Sequence, residues 1–152
     1  MNIACDARAL VGPRTGVGTW TERVMGGLSR HGVGTVHLAA SQPIRLGKDE
    51  RHPDLKIVPA PRRASIGPVW LNTTVPRQLR TMGADVWIGS LAILPLRCPV
   101  PAVAMVHDLT PRTHPHRHTM ANRFCFNAYA EESLARAAAV VVGSRATEEV
   151  VR

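Results

Sequence analysis

Short apolar runs alternate along the chain with segments whose apolar positions recur at helical spacing. Each run is rich in β-formers and is bounded by glycine, proline or polar residues, which is typical of buried strands in a parallel sheet. In the first run, Ile3 and Cys5 fall on one side and Asn2 and Ala4 on the other. The runs predict strands at residues 1–6, 35–40, 55–58, 85–89, 100–106 and 139–143.

The intervening segments predict helices. One face of the first helix carries apolar side chains, while Glu22, Arg23 and Arg30 point elsewhere. Its apolar positions are Val17, Trp20, Val24 and Leu28. Further helices are expected at residues 68–82, 119–138 and 144–151.

The boundaries of these helices follow from glycine, proline and serine. Gly32 ends the first helix, because glycine adopts the left-handed conformation that terminates helices. Pro76 interrupts the helical segment around it, and Ser144 suits the N-cap of the last helix. That last helix has about two turns and no terminating glycine, so we expect the chain to be part of a longer protein.

Alternating strands and helices, with strands that are apolar throughout, predict a parallel sheet covered on both faces. The expected fold is α/β, an open doubly wound (Rossmann-like) sheet, with residues 1–152 forming one domain. A hydrophobic content of 45% and a charged content of 20% are ordinary for a folded domain and argue against disorder.

Residues 100–111 carry the strongest chemical signal. An apolar strand stops there at His107 and Asp108, followed by Leu-Thr-Pro. Because ligands of open α/β sheets bind at the carboxyl ends of the strands, we expect these two side chains to face a binding cleft. The alternative for His107 is a core histidine with satisfied hydrogen bonds.

A glycine-rich loop lies between the first strand and the first helix. Gly16 and Gly18 stand at the start of that helix, where free amides and the helix dipole favour anions. The dinucleotide fingerprint fails, because its third glycine would fall at Thr21 and no acidic residue ends the second strand. As a bare pattern, the loop is equally compatible with phosphate binding and with a plain turn that starts a helix.

The net charge of +8 comes almost entirely from arginine. Such a field attracts nucleic acids, anionic lipids and phosphorylated ligands, but it is equally consistent with a solvated surface. The arginines are scattered, and an aromatic content of 4% gives little material for stacking bases, so no nucleic-acid partner is expected. A basic nucleic-acid-binding domain ranks last among the functional hypotheses.

Histidines and cysteines raise the question of a metal site. His114, His116 and His118 alternate, but no carboxylate or cysteine joins the run and the spacing suits a facial site poorly, so no metal is expected. The three cysteines show no zinc spacing, and Cys5 is expected to be a reduced, buried thiol. Asp6 and the short apolar runs argue against a signal peptide or a membrane span, which predicts a cytoplasmic protein.

Taken together, several segments resemble a known family in order and spacing. They are residues 2–8 (NIACDAR), 16–18 (GVG), 84–87 (ADVW), 106–111 (VHDLTP) with His114-Pro115, and 139–144 (AVVVGS). The set resembles the N-terminal domain of family 4 retaining glycosyltransferases, the mannosyltransferase-like group of the GT-B fold. The resemblance runs nearly from end to end, and its most specific part is the His-Asp-Leu-Thr-Pro segment.

The resemblance implies a two-domain enzyme that transfers a hexosyl group, such as mannosyl, from a nucleotide sugar to a glycan or lipid-linked acceptor. The N-terminal half binds mainly the acceptor, and a C-terminal half, absent from this sequence, binds the donor. Catalysis needs no essential metal or other cofactor. The basic domain could also meet the inner face of the membrane peripherally.

The resemblance also implies roles for particular residues. Gly16, Val17 and Gly18 would lie beside the donor diphosphate, His107 would approach the reacting carbon of the donor sugar, and Asp108 would orient this site. Without its C-terminal half, the chain is expected to be inactive alone. The alternative is a freestanding Rossmann-like module that binds carbohydrate, or pairs with a separate donor domain, without catalysis.

Overall fold

The computed structural model describes residues 1–47, 53–61, 66–107, 116 and 119–151, except for the side chains of residues 121–127 and 150. In this part of the chain, six strands form one parallel sheet in the order β3-β2-β1-β4-β5-β6. The strands are β1 (Asn2–Asp6), β2 (Thr35–Ala39), β3 (Leu55–Ile57), β4 (Val86–Gly89), β5 (Ala102–Val106) and β6 (Ala139–Val142).

Helices lie between most of these strands, but among the described residues none separates β2 from β3 or β4 from β5. The helices are α1 (Gly16–Arg30), α2 (Gly67–Thr73), α3 (Val75–Thr81), α4 (Met120–Arg136) and α5 (Arg145–Val151), with a 3-10 turn at Arg8–Leu10. The chain runs from β1 to β2 and β3 on one side, then returns to place β4, β5 and β6 on the other side of β1. This is an open doubly wound, Rossmann-like α/β fold, so the fold prediction is confirmed.

The two faces of the sheet are covered by different helices. Side chains of α1, among them Met25, pack on a core that contains Ile3, Cys5 and Leu38. The opposite face packs against α2, α3 and α4, through residues that include Trp70, Leu79 and Leu134. Because Ile3 and Cys5 share one core while Ala4 belongs to the other, the predicted sidedness of the first strand is also confirmed.

The ends of the helices follow the local sequence. The helical segment breaks at Thr74, and Pro76 occupies the first turn of α3, where its missing N–H costs nothing. Gly32 has a φ of 69°, a left-handed conformation that glycine adopts without strain. Ser144 Oγ accepts a hydrogen bond from the Thr147 N–H at 3.2 Å, as expected of the cap of α5.

The orientation predicted for Glu22 is wrong. Its side chain lies on the buried side of α1 and the residue is only 5% exposed. Burial is possible because the carboxylate pairs with Arg14 and accepts the Gly47 N–H at 2.5 Å. The loops before α1 and after β2 therefore both attach to this helix.

Some sequence predictions fall on other parts of the chain. Asp108, His114 and His118 lie outside the described residues. Among the helices that the structure describes, none combines the length and the apolar character needed to cross a bilayer.

Candidate functional site at the carboxyl edge of the sheet

His107 stands at the carboxyl edge of the sheet, as the first residue after β5. It is half-buried, and its Nε2 lies 2.9 Å from the main-chain oxygen of Ser90, which directly follows the adjacent strand β4. The imidazole is therefore outside the apolar core and at the edge where ligands of such sheets bind.

An aromatic contact links His107 to α1. The rings of His107 and Trp20 meet edge to face, with centroids 4.6 Å apart and an interplanar angle of 82°. Trp20 lies four residues, or about one helical turn, after Gly16. The glycine loop and the histidine therefore occupy the same edge of the sheet, on the side covered by α1.

The glycine loop presents the N-terminus of α1. Thr15 is the N-cap, and its Oγ1 accepts the Gly18 N–H at 3.1 Å. A Cβ at Gly18 would stand 2.5 Å from the Ala9 main-chain oxygen, so this glycine is required by close packing of the backbone. A Cβ at Gly16 would meet nothing within 4 Å. The space beside Gly16 is open, whereas Gly18 has a structural role.

A buried ion pair occupies the end of β1. Asp6 is 0% exposed, and its carboxylate accepts hydrogen bonds from Arg8 Nε at 2.9 and 3.0 Å and from Nη2 at 2.6 Å. It also accepts the Arg8 main-chain N–H at 3.1 Å. The guanidinium lies over the Trp70 ring, 5.5 Å from its centroid. This arrangement fixes Arg8 beside the first turn of α2, where a Cβ at Gly67 would clash with Nη1 at 2.5 Å.

Ser90 joins the two halves of the sheet. Its hydroxyl donates to the main-chain oxygen of Asp6 at 2.5 Å, and the residue is fully buried. Strands β1 and β4 are the neighbours between which the direction of winding reverses. A chain of contacts thus runs along the carboxyl edge from the Asp6–Arg8 pair through Ser90 to His107.

Two grooves flank the edge strand β3. One, of about 590 Å³, lies at the carboxyl ends of β2 and β3 and is lined by Ser41, Gln42 and mostly apolar neighbours. The other, of about 430 Å³, lies between β3 and α3 and includes His37 and Lys56. Burial, and secondarily the charge of Lys56, lowers the pKa of His37. The first groove shares its edge of the sheet with His107.

The described cysteines show no sign of activation. Burial, reinforced by the negative charge of Asp6, raises the pKa of the Cys5 thiol well above its ordinary value. Burial also raises the pKa of Cys98, although a hydrogen bond at Val100 and the charge of Arg136 oppose the change. Both cysteines are free thiols. The expected burial of Cys5 is confirmed, and its neutral sulfur is a poor nucleophile.

The structure adds three residues that the sequence interpretation missed: Arg8, Trp20 and Ser90. Arg8 follows the end of β1 and Ser90 the end of β4, so the rule that singled out His107 could have found both. Trp20 was placed on the apolar face of α1, which gave no hint of a partner across the edge of the sheet.

The carboxyl edge thus combines an open helix N-terminus, an imidazole held by a neighbouring strand and a buried ion pair. Comparison of the chain with protein-family models, with curated proteins and with solved structures finds no match. Within the described residues, no three histidine, cysteine or acidic side chains come together as a set of metal ligands. The chemistry of the edge is therefore inferred from its geometry.

Proposed function

We propose that the chain is the acceptor-side domain of a retaining glycosyltransferase, which transfers a hexosyl group from a nucleotide sugar to an acceptor. One observation carries the proposal. The imidazole of His107 contacts Trp20, one helical turn after the exposed backbone of Gly16, at the carboxyl edge of the sheet. A diphosphate at the helix N-terminus and the sugar attached to it would therefore fall beside the imidazole.

The chemistry of sugar transfer suits these groups. Breaking the glycosidic bond of a nucleotide sugar develops positive charge at the anomeric carbon and negative charge on the departing diphosphate. The amides and dipole at the start of α1 would stabilise the diphosphate, with Gly16, Val17 and Gly18 nearest to it. His107 would hydrogen-bond the donor sugar, and Asp108, outside the described residues, would help to orient it.

The acceptor has a place on the same edge of the sheet. The groove of about 590 Å³ at the ends of β2 and β3 combines apolar side chains with the polar side chains of Ser41 and Gln42. Such a lining suits a sugar ring, which offers both apolar C–H faces and hydroxyl groups. In this proposal, a second domain following residue 152 supplies the rest of the donor site.

The same groove supports the second candidate function. A freestanding module could bind carbohydrate there without any donor or catalysis. The two candidates differ in what the glycine loop does. A transferase needs the loop at residues 16–18 for the diphosphate, whereas a carbohydrate-binding module does not use it.

An activity assay tests the proposal. The protein encoded by the complete reading frame is incubated with a panel of nucleotide sugars and simple glycoside acceptors, and the product is analysed by NMR. We expect transfer with retention of configuration at the anomeric carbon and no transfer by the 152-residue chain alone. Carbohydrate binding without transfer by the complete protein would favour the binding module, and an inverted product would contradict the proposed mechanism.

A further inference from the structure

We propose that Ser90 is a positioning residue for His107 and that its main-chain carbonyl fixes which ring nitrogen carries the proton. The inference concerns the resting state of the imidazole. Its consequence for catalysis, though not its geometry, rests on the proposed sugar transfer. It assigns Ser90 a role that neither the motif around His107 nor the glycine loop indicates.

The identity of the partner atom determines the tautomer. His107 Nε2 lies 2.9 Å from the Ser90 carbonyl oxygen, and a carbonyl oxygen can only accept a hydrogen bond. Nε2 must therefore be the donor and carry a hydrogen. In the neutral ring this leaves the lone pair on Nδ1, and protonation of the imidazole takes place at Nδ1.

The carbonyl is held by a second hydrogen bond made by the same residue. Ser90 Oγ donates to the Asp6 main-chain oxygen at 2.5 Å, in a position with no exposure to solvent. Asp6 is in turn fixed by its ion pair with Arg8. Because a buried polar group is costly to leave unpaired, the hydrogen bond from Ser90 Oγ to Asp6 restricts the position of the Ser90 carbonyl.

The imidazole is restrained on more than one side. The backbone of β5 carries it, the Ser90 carbonyl holds Nε2, and Trp20 packs edge to face against the ring from α1. Groups held in this way need little reorganisation during a reaction. For the proposed transfer, a fixed tautomer would determine which ring nitrogen of the neutral imidazole is a donor and which is an acceptor.

The test is the tautomeric state of His107 in the 152-residue chain. It is measured by long-range ¹H–¹⁵N NMR at a pH at which the imidazole is neutral. The signal is assigned by its loss in a His107→Gln variant. We expect Nε2 to show the shift of a protonated nitrogen and Nδ1 that of an unprotonated one. A dominant Nδ1–H tautomer, or an even mixture, would overturn the proposal.

Variants then test the part played by the serine hydroxyl. Ser90→Ala removes the tie to Asp6, and we expect the ratio of Nε2–H to Nδ1–H tautomers to fall roughly tenfold, the effect of losing about one hydrogen bond. Ser133→Ala is the matched control, because Ser133 is also 0% exposed, and its hydroxyl accepts the Leu94 N–H and donates to the Tyr129 main-chain oxygen, with no bond to Asp6 or His107. An equal change in both variants, or none in Ser90→Ala, would contradict the positioning role.

These measurements use no nucleotide sugar, so they separate the two proposals. An Nε2–H tautomer in a protein that transfers no sugar would uphold the role of Ser90 and contradict the proposed function. Sugar transfer by a protein with the Nδ1–H tautomer would uphold the proposed function and contradict the role of Ser90. If Ser90→Ala does not fold, the wild-type spectrum still decides the tautomer.

Discussion

Replacing His107 with alanine is expected to lower kcat for sugar transfer about a hundredfold to a thousandfold in the protein encoded by the complete reading frame. Its contact with Trp20 places the imidazole about one helical turn from the start of α1. Loss of a preorganised hydrogen-bonding group from a site of developing charge has an effect of this size. The measurement is steady-state kinetics with the donor identified in the assay proposed above.

The His107 variant needs a control for folding. Losing both the edge-to-face contact with Trp20 and the hydrogen bond to the Ser90 carbonyl is expected to lower the free energy of unfolding by about 2 kcal/mol, which should leave the domain folded. His37→Ala is the matched variant, because His37 is also a half-buried histidine of the sheet but lies on β2, beside the groove against α3. We expect His37→Ala to keep most of the activity. Full activity in His107→Ala would remove His107 from the mechanism.

Replacing Asp6 with alanine is expected to lower the free energy of unfolding by about 3–5 kcal/mol. The carboxylate is completely buried and accepts the bidentate hydrogen bonds of Arg8, whose side chain is only 14% exposed. Removing it leaves the guanidinium in a largely desolvated position without its counter-charge. Urea unfolding, followed by circular dichroism, gives the change directly.

Three further variants, Arg8→Ala, the double variant and a surface control, show whether the loss of stability in Asp6→Ala arises from the ion pair. The double variant Asp6→Ala/Arg8→Ala should lose less stability than the sum of the single variants, because neither charge is then left alone. Asp85→Ala is the surface control, since Asp85 is exposed and caps the Asn2 N–H at 2.7 Å. Asp85→Ala should lower the free energy of unfolding by about 1 kcal/mol or less. Additive effects at Asp6 and Arg8 would contradict the coupling that the structure shows.

The fold was predictable because the signals for its elements are local. Apolar runs give the strands, glycine and proline give the boundaries, and alternation with helices implies a parallel sheet. Even the break near Pro76 and the cap at Ser144 depend only on residues within a turn of them. The position of His107 follows from the same rule, since it directly ends a strand.

The remaining features of the site depend on distant residues, which periodicity does not report. Trp20 and His107 lie on separate elements and meet only in the folded domain, and Ser90 meets His107 only because β4 pairs with β5. Helical spacing placed Glu22 away from the apolar face of α1, and its burial could not be foreseen because its partners belong to two loops, one on each side of the helix. Spacing alone likewise cannot distinguish a glycine packed against backbone from one that faces open space.

The most direct test of the central claim is the footprint of a nucleotide sugar on the protein encoded by the complete reading frame. In ¹H–¹⁵N correlation spectra, a diphosphate sugar should shift the amides of residues 15–20 together with that of His107, and inorganic pyrophosphate should shift residues 15–20 alone. Gly16→Ala, whose added methyl group would enter open space, should fold normally and show weaker shifts. Shifts confined to the grooves beside β3, or no difference between wild type and Gly16→Ala, would contradict the proposed position of the donor diphosphate and its sugar between the start of α1 and His107.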